Sequence, residues 1–441
     1  MSIKKGLIKN TAFNLSGYIY LLFASFFSIS ILLQNLGRDT FGAFLLMASI
    51  VPLLSVLDIG ISTAVVRKLS LPLTSDEERI KVWQSSFFIF IFEAIILSIL
   101  AFVILIILGN TPALSVLDKD TFNISIITLS LTVFVNHINN HFLSLPQANQ
   151  RFDIFNSKTL LVGSANTVFA ALLSQVYPRI ELILLLQLAF HIATTVYMSR
   201  YCYPFFPLHF WPKFHKDTTR ELFDFGIKNF IATLAGQIEF QFSKYALGSM
   251  VSATAVAAYS IPQNIVVKGA GVVSQVAQAV FPLSASLLEK NRIGKLKKLI
   301  IGLETIVLLG GGLAILLTFV IGRQFLSWWL KDSVVVSLAY PILQVLSFYF
   351  VLASLTPIPT VLIQSIGKPQ IPAFFAVLTT TIEIVTAIVL IPTLGVLGVA
   401  YAALISSCIT VPLFLIVCWN VFQKEIKKTQ SPPYTPSPAT L

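Results

Sequence analysis

The residues best suited to bind a polar ligand form two short rows inside long apolar stretches. Each row consists of amide side chains and a single lysine. The first row, in residues 224–247, consists of Gln237, Gln241 and Lys244. The second row, in residues 254–286, consists of Asn264, Lys268, Gln275 and Gln278. Spacings of three, four and seven place each row on one face of a helix. Because a charge inside an apolar span usually faces a water-filled cavity, the two rows predict a binding surface for an anionic group.

The two lysines differ in their alternative interpretations. Lys244 is one turn from Gly248, so its amine could instead snorkel to the outer membrane interface. Lys268 lies about fourteen residues into its helix, which is too deep for easy snorkelling. Pro262 removes one backbone hydrogen bond from the same helix and predicts a kink before Lys268.

Five carboxylates fall within apolar stretches. Glu93, Glu239 and Glu383 lie deep in them and are predicted to couple transport to an ion by taking up a proton, or to pair with a lysine; both interpretations stay open. Asp58 and Glu304 lie near cytoplasmic ends, where a helix cap or an ion pair with loop cations is expected.

One stretch near residues 123–145 carries unusually many polar side chains. They are Asn136, His137, Asn139, Asn140, His141 and Ser144. His137 and His141 share a helical face, but the stretch has no third ligand and no HExxH pattern, so we predict no metal site. We interpret the polar group as a hydrated wall near a cytoplasmic opening. The chain has no glycine-rich phosphate loop, and we predict no cofactor.

The elements that must position these side chains are membrane-spanning helices. The chain is 56% hydrophobic and 11% charged, against roughly 25% charged residues in soluble domains. Its long continuous apolar runs exclude a barrel of alternating strands. We place spans near 13–34, 41–64, 86–108, 123–145, 157–177, 182–204, 224–247, 254–286, 299–322, 336–364, 371–392 and 397–421. The predicted fold class is an all-α integral membrane protein with about twelve transmembrane helices.

The distribution of cations predicts orientation. With the N-terminus inside, 23 of the 30 Lys and Arg residues fall in inside segments and five in outside segments. The positive-inside rule then places both termini in the cytoplasm. The net charge of +11 is explained by these loops, so we predict no nucleic-acid partner.

The chain reads as two halves of six spans. Leu36-Gly37 matches Leu247-Gly248 at an offset of 211 residues, and 147–151 matches 364–368 at an offset of 217. Such a repeat places the substrate between the halves. The predicted domains are an N-terminal bundle (1–204), a cytoplasmic interfacial linker (205–223), a C-terminal bundle (224–422) and a disordered cytoplasmic tail (423–441).

Several motifs resemble polysaccharide flippases of the Wzx type. They are Asn35–Leu46 (NLGRDTFGAFLL), Leu57–Gly60, Ala64–Arg67, Ala258–Pro262, Val280–Ser284, Gln364–Lys368, Leu390–Gly395 and Gly398–Ala402. The resemblance covers nearly the whole chain. The family that the motifs resemble belongs to the multidrug/oligosaccharidyl-lipid/polysaccharide (MOP) superfamily. It implies two six-helix bundles around a central cavity.

The resemblance also implies a function, which is flipping of an undecaprenyl-diphosphate-linked oligosaccharide, an O-antigen type repeat unit, across the bacterial inner membrane by alternating access. The two lysine rows would then hold the diphosphate. Expected partners are this glycan, membrane lipids, and the polysaccharide polymerase and chain-length machinery. A multidrug or cation antiporter of the same superfamily remains an alternative. A membrane polymerase is disfavoured because the external loops are short, so we expect no enzyme.

Overall fold

The computed structural model of the protein describes residues 3–58, 60–71, 75–289 and 293–430. Side chains are described within these ranges except at 3–15, 225–233, 235, 279–289, 293 and 425–430. The described chain is helical and contains no strand. The predicted all-α class is therefore confirmed.

Sixteen α-helices follow one another in the described chain. They are α1 (Ile3–Leu36), α2 (Arg38–Ala48), α3 (Ile50–Ser55), α4 (Ile61–Ser70), α5 (Asp76–Leu108), α6 (Lys119–Ala148), α7 (Phe152–Ser164), α8 (Ala170–Val176), α9 (Ile180–Cys202), α10 (Lys216–Met250), α11 (Ala253–Glu289), α12 (Ile293–Leu330), α13 (Ser333–Ser354), α14 (Pro357–Ser365), α15 (Gln370–Leu394) and α16 (Val396–Gln430). A π-helical turn (Ala165–Phe169) joins α7 to α8, and a 3-10 turn (Tyr203–Phe205) follows α9.

Every predicted span overlaps a helix, and most helices extend beyond the span. Within the described residues, ten segments are long and apolar enough to cross a bilayer. The segments of α10 and α11 are not among them, so the count of twelve stays a prediction. Large apolar side chains such as Phe92, Ile107 and Leu309 are more than half exposed on these helices, as expected where a helix faces lipid. The chain is a multi-pass membrane protein.

Two predicted spans are interrupted rather than continuous. The second is broken between α3 and α4, where Asp58 accepts the Gly60 backbone N–H at 3.0 Å. Gly60 has a φ of 70°, which glycine adopts without steric cost. The tenth is broken between Ser354 and Pro357, because Pro357 has no backbone N–H with which to continue the helical hydrogen bonds of α13. In contrast, α11 runs through Pro262 without a break.

The two halves repeat the same turn at the predicted offset of 217 residues. After α6, Gln150 has a φ of 56°, and after α14, Gly367 has a φ of 79°. Arg151 N–H donates to the Pro146 carbonyl at 2.8 Å, and Lys368 N–H donates to the Ile363 carbonyl at 3.1 Å. Matching hydrogen bonds and matching positive φ support the internal repeat.

The N-terminal caps of α6 and α13 also correspond to each other, at an offset that differs from 217 by three residues. Asp118 accepts the Thr121 N–H at 2.9 Å before α6, and Asp332 accepts the Val335 N–H at 2.9 Å before α13. Each aspartate satisfies a backbone donor that the first helical turn leaves unpaired. The cap hydrogen bond also lowers the pKa of Asp118.

The described chain divides into two compact units, Met1–Ile261 with Gln324–Ala339 and Pro262–Arg323 with Tyr340–Leu441. In the first unit α6 packs against α5 and α9. In the second unit α15 packs against α16, and Ile363, Phe414 and Cys418 form one of its core clusters.

The predicted division at residues 205–223 stays a prediction. The predicted tail begins as helix, since α16 continues to Gln430, and residues 431–441 lie outside the described residues.

Within the first unit, the starts of α2 and α11 pack closely together. Gly42 lies against the backbone carbonyl of Ala253, and an added Cβ would overlap that oxygen. The Thr254 hydroxyl donates to the Asp39 carboxylate. The close approach of the two helices explains why position 42 carries glycine. The same two segments also correspond to each other in the internal repeat.

Candidate functional site

The first polar row places its lysine inside the protein. Lys244 is 8% exposed and Gln241 is 1% exposed. The Lys244 amine donates to the Gln241 Oε1 at 3.0 Å and lies 4.8 Å from the centre of the Phe240 ring. An amide oxygen and an aromatic face both stabilise an ammonium group. The alternative in which Lys244 snorkels to the interface is therefore wrong.

The other member of that row, Gln237, is half-buried. Its Oε1 is buried and accepts no hydrogen bond from the described residues. An unsatisfied buried amide oxygen is costly, so this atom is available to a polar ligand or to water.

The second polar row becomes more exposed along α11. Asn264 and Lys268 are half-buried, whereas Gln275 and Gln278 are exposed. Next to Lys268, an added Cβ at Gly269 would lie 2.9 Å from the Phe350 ring. Gly269 therefore lets the backbone of α11 lie close to α13, and the lysine projects from a helix segment with a fixed position in its unit.

The predicted coupling carboxylates lie in different surroundings. Glu93 on α5 is 7% exposed, and Glu383 on α15 is 4% exposed, whereas Glu239 on α10 is half-buried. Both oxygens of Glu93 are buried and have no hydrogen-bond partner among the described residues. The Asp58 carboxylate lies within electrostatic range of Glu93. A carboxylate in such a place is costly when ionised, so Glu93 is suited to carrying a proton.

The two acids expected to cap or pair near helix ends also differ. Asp58 does cap, through the Gly60 N–H described above. Glu304 instead has both oxygens buried without a hydrogen-bond partner in the described part of the chain.

The polar stretch of α6 faces the protein interior. His137, Asn139, His141 and Ser144 are fully buried, because α6 packs against α5 on one side and α9 on the other. The Asn139 amide donates to the Thr195 hydroxyl at 3.0 Å. For these residues the prediction of a hydrated wall is wrong. Among the described residues no group of three or more His, Cys, Asp or Glu could hold a metal ion.

Lys158, which is one of the 23 cations counted in inside segments, belongs to this polar group. Lys158 on α7 is half-buried, and its amine donates to the Asn136 Oδ1 at 3.2 Å and the Asn140 Oδ1 at 3.5 Å. The spacing of Asn136 and Asn140 by one turn indicates a shared helical face, but Lys158 lies at the very start of the predicted span 157–177 and was counted as an inside cation. The partner helix of Lys158 could not be known from the sequence.

The predicted linker, residues 205–223, is fixed to the first unit. Trp83 on α5 is fully buried, stacks on Phe206 with ring centres 4.7 Å apart, and donates its Nε1–H to the Phe210 carbonyl at 3.1 Å. The His215 ring bonds the Gln84 side chain at 3.0 Å. These contacts dock the linker on the N-terminal end of α5.

Charged contacts continue this anchoring. The Lys68 amine lies 2.6 Å from a Glu221 carboxylate oxygen, and this hydrogen bond raises the pKa of Lys68. Partial burial, with Lys213 and Lys81 nearby, lowers the pKa of His215. The neutral form of His215 therefore prevails near neutral pH, which suits its hydrogen bond to an uncharged amide.

Comparison with protein families decides what kind of protein this is. A family model described as polysaccharide biosynthesis protein matches residues 7–288, well over half of the chain. The chain belongs to this polysaccharide biosynthesis family. The resemblance drawn from the sequence motifs is confirmed at this level.

One curated relative extends the likeness along most of the chain. A Shigella flexneri protein named "Putative O-antigen transporter" is 23% identical over 391 residues, covering 83% of this chain and 87% of the relative. The match runs beyond the family model into the second half of the chain.

Solved structures show that the fold is that of MOP-superfamily transporters. An inward-facing MATE multidrug resistance transporter superposes with a TM-score of 0.77 at 14% identity, covering 93% of this chain and 96% of that one. The lipid II flippase MurJ, in an inward closed conformation, superposes with a TM-score of 0.68 at 16% identity, covering 96% and 89%. At these identities the likeness establishes the fold.

Proposed function

We propose that this polysaccharide biosynthesis protein is a flippase that moves an undecaprenyl-diphosphate-linked oligosaccharide across the bacterial inner membrane. The observation that carries the proposal is that a family member with a MATE- and MurJ-like fold keeps lysines within its apolar helices. The O-antigen transporter name of the curated relative and the lipid II flippase among the fold relatives support the same substrate class.

The diphosphate is the part of the substrate that hydrocarbon excludes most strongly. An unpaired ion moved from water into lipid meets a solvation penalty of tens of kcal/mol. Lys268, helped by Lys244, replaces the lost water with charge, and the amides of both rows hydrogen-bond the phosphate and sugar oxygens. The polyprenyl tail stays in the bilayer. Rocking of one bundle on the other opens the polar surface to each side in turn.

Proton uptake by Glu239, Glu383 or Glu93 supplies the coupling in this proposal. A carboxylate that gains a proton on one side of the membrane and loses it on the other links the gradient to the conformational cycle. The burial of Glu93 and Glu383 supports this role.

The protein works with both termini in the cytoplasm, as the 23-to-5 distribution of cations indicates. A reporter fused after Lys119 should read outside, and a reporter fused after Lys216 should read inside. Both reporters on the same side of the membrane would contradict this topology.

The protein acts as a transporter and not as an enzyme in this proposal, and it hands its product to a polymerase and chain-length machinery on the outer face. Depletion of the protein in the native host should make lipid-linked repeat units accumulate in the cytoplasmic leaflet while surface polysaccharide is lost. Unchanged polysaccharide together with increased sensitivity to cationic drugs would identify a multidrug antiporter instead. Loss of polymer length with repeat units still reaching the surface would identify a polymerase.

A further inference from the structure

An ammonium group inside the first unit is held by oxygen atoms alone. The Lys158 amine donates to Asn136 Oδ1 at 3.2 Å and to Asn140 Oδ1 at 3.5 Å. No carboxylate of the described residues lies within 4 Å of this amine. A lysine inside a membrane bundle pairs with another charged residue or with backbone carbonyls, and at Lys158 two side-chain amide oxygens take that place.

The amide oxygen of Asn136 is oriented by the protein independently of the lysine. Asn136 donates its Nδ2 to the Ser55 hydroxyl at 2.7 Å, which turns its Oδ1 toward Lys158. Asn140 follows one turn later on the same face of α6. The side chain of Asn136 is 5% exposed, so its geometry is fixed by packing.

The surroundings favour a cation over an anion. Lys158 lies within electrostatic range of two histidines, His137 and His191, and Asp58 lies within range of His137. The two groups that contact the Lys158 amine are amide oxygens, which accept hydrogen bonds and ligate hard cations but cannot donate a hydrogen bond to an anion.

We propose that Lys158 is a tethered cation, whose ammonium group permanently occupies an internal site for a monovalent cation in the first unit. The protein carries the positive charge on its own side chain where another chain could bind a sodium or potassium ion. The site therefore needs no mobile metal ion. This inference does not depend on which substrate the protein moves.

Removal of the Lys158 side chain should leave the proposed site without its cation. In Lys158→Ala, the ammonium and its four-carbon stem are lost while the amide oxygens of Asn136 and Asn140 remain. The purified variant should melt at a lower temperature than the wild type in choline chloride. Its Tm should rise saturably when potassium, sodium or methylammonium chloride replaces choline at constant ionic strength, since a ligand of the folded state stabilises it. The wild type should respond equally to all four salts.

Two control variants separate this effect from general salt effects. Lys158→Met fills the same volume without a charge, so its Tm should be low and insensitive to the cation. Lys298→Ala removes an exposed lysine from α12 and should behave as the wild type. A Lys158→Ala protein that responds to salts as Lys298→Ala does would overturn the proposal.

An anion site would give the opposite result. If Lys158 instead binds phosphate groups, pyrophosphate should raise the Tm of the wild type and leave Lys158→Ala unchanged, and this outcome would also overturn the proposal. Because the readout is cation binding, failure of the flippase function would leave the result interpretable.

A second experiment covers the case in which Lys158→Ala does not fold. Asn136→Leu leaves the ammonium without its nearer acceptor and should lower Tm strongly. Adding Lys158→Met to Asn136→Leu should restore part of the loss, since the stranded charge is removed as well. Additive losses in the double variant would contradict a cation held by Asn136.

Discussion

Docking of the linker on α5 can be tested at Trp83. The indole is fully buried, stacks on Phe206 and donates to the Phe210 carbonyl at 3.1 Å. Trp83→Phe keeps most of the stacking area and loses the hydrogen bond, a loss of about 1 kcal/mol. That energy corresponds to a roughly five-fold larger population of the undocked linker.

Trp83→Ala removes the ring entirely. Truncation of a buried tryptophan costs about 3–5 kcal/mol, which corresponds to a roughly hundred-fold or larger increase in undocking. The assay is amide hydrogen exchange of residues 206–215 in the purified, reconstituted protein, because exchange from a local opening follows the open population.

The matched control is Trp211→Phe, since Trp211 lies in the same linker and is 74% exposed. Exchange in this variant should equal that of the wild type. Equal exchange in Trp83→Ala and the wild type would refute the docking argument. A uniform increase across α5, α6 and the linker would show that Trp83 stabilises the whole unit instead.

Two further predictions concern coupling and packing. Glu239→Gln and Glu383→Gln should each reduce the dependence of transport on an imposed pH gradient, whereas Glu77→Gln, at an exposed position, should not. Wild-type gradient dependence in both Glu239→Gln and Glu383→Gln would remove these residues from the mechanism. Gly42→Ala places a Cβ on the Ala253 carbonyl oxygen and should lower Tm in the manner of an overpacked core that costs about 1–3 kcal/mol. Gly310→Ala, where an added Cβ meets nothing within 4 Å of the described structure, should leave Tm unchanged or slightly raised, and equal effects of the two would contradict the close approach of α2 and α11.

The fold class could be predicted from the sequence because lipid leaves few choices. Continuous apolar runs of spanning length must be helical, and each predicted span does overlap a helix. The repeat was also visible, since the turns at Gln150 and Gly367 need the same hydrogen bonds in both halves. The break at Gly60 was missed because hydropathy continues through it.

The partners of polar residues were much harder to predict. His141 and Asn139 were assigned to a hydrated wall because polarity alone does not tell water from a neighbouring helix. Lys158 was counted as an inside cation because it lies near a predicted span boundary, and only the packing of α7 on α6 brings it to Asn136. The position of a residue in the sequence predicts how deep it lies in the membrane. Tertiary packing decides which face of each helix contacts other helices.

The most direct test of the flippase proposal is translocation by the purified protein in liposomes. The probe is an undecaprenyl-diphosphate-linked oligosaccharide, and a membrane-impermeant glycosidase reports its arrival in the opposite leaflet. The wild type should move the probe, Lys268→Ala should fall to the rate of empty liposomes with an unchanged Tm, and Lys268→Arg should retain part of the rate because its charge remains. A wild-type rate equal to that of empty liposomes would contradict the function, and a Lys268→Ala rate equal to that of the wild type would contradict the placement of the diphosphate site.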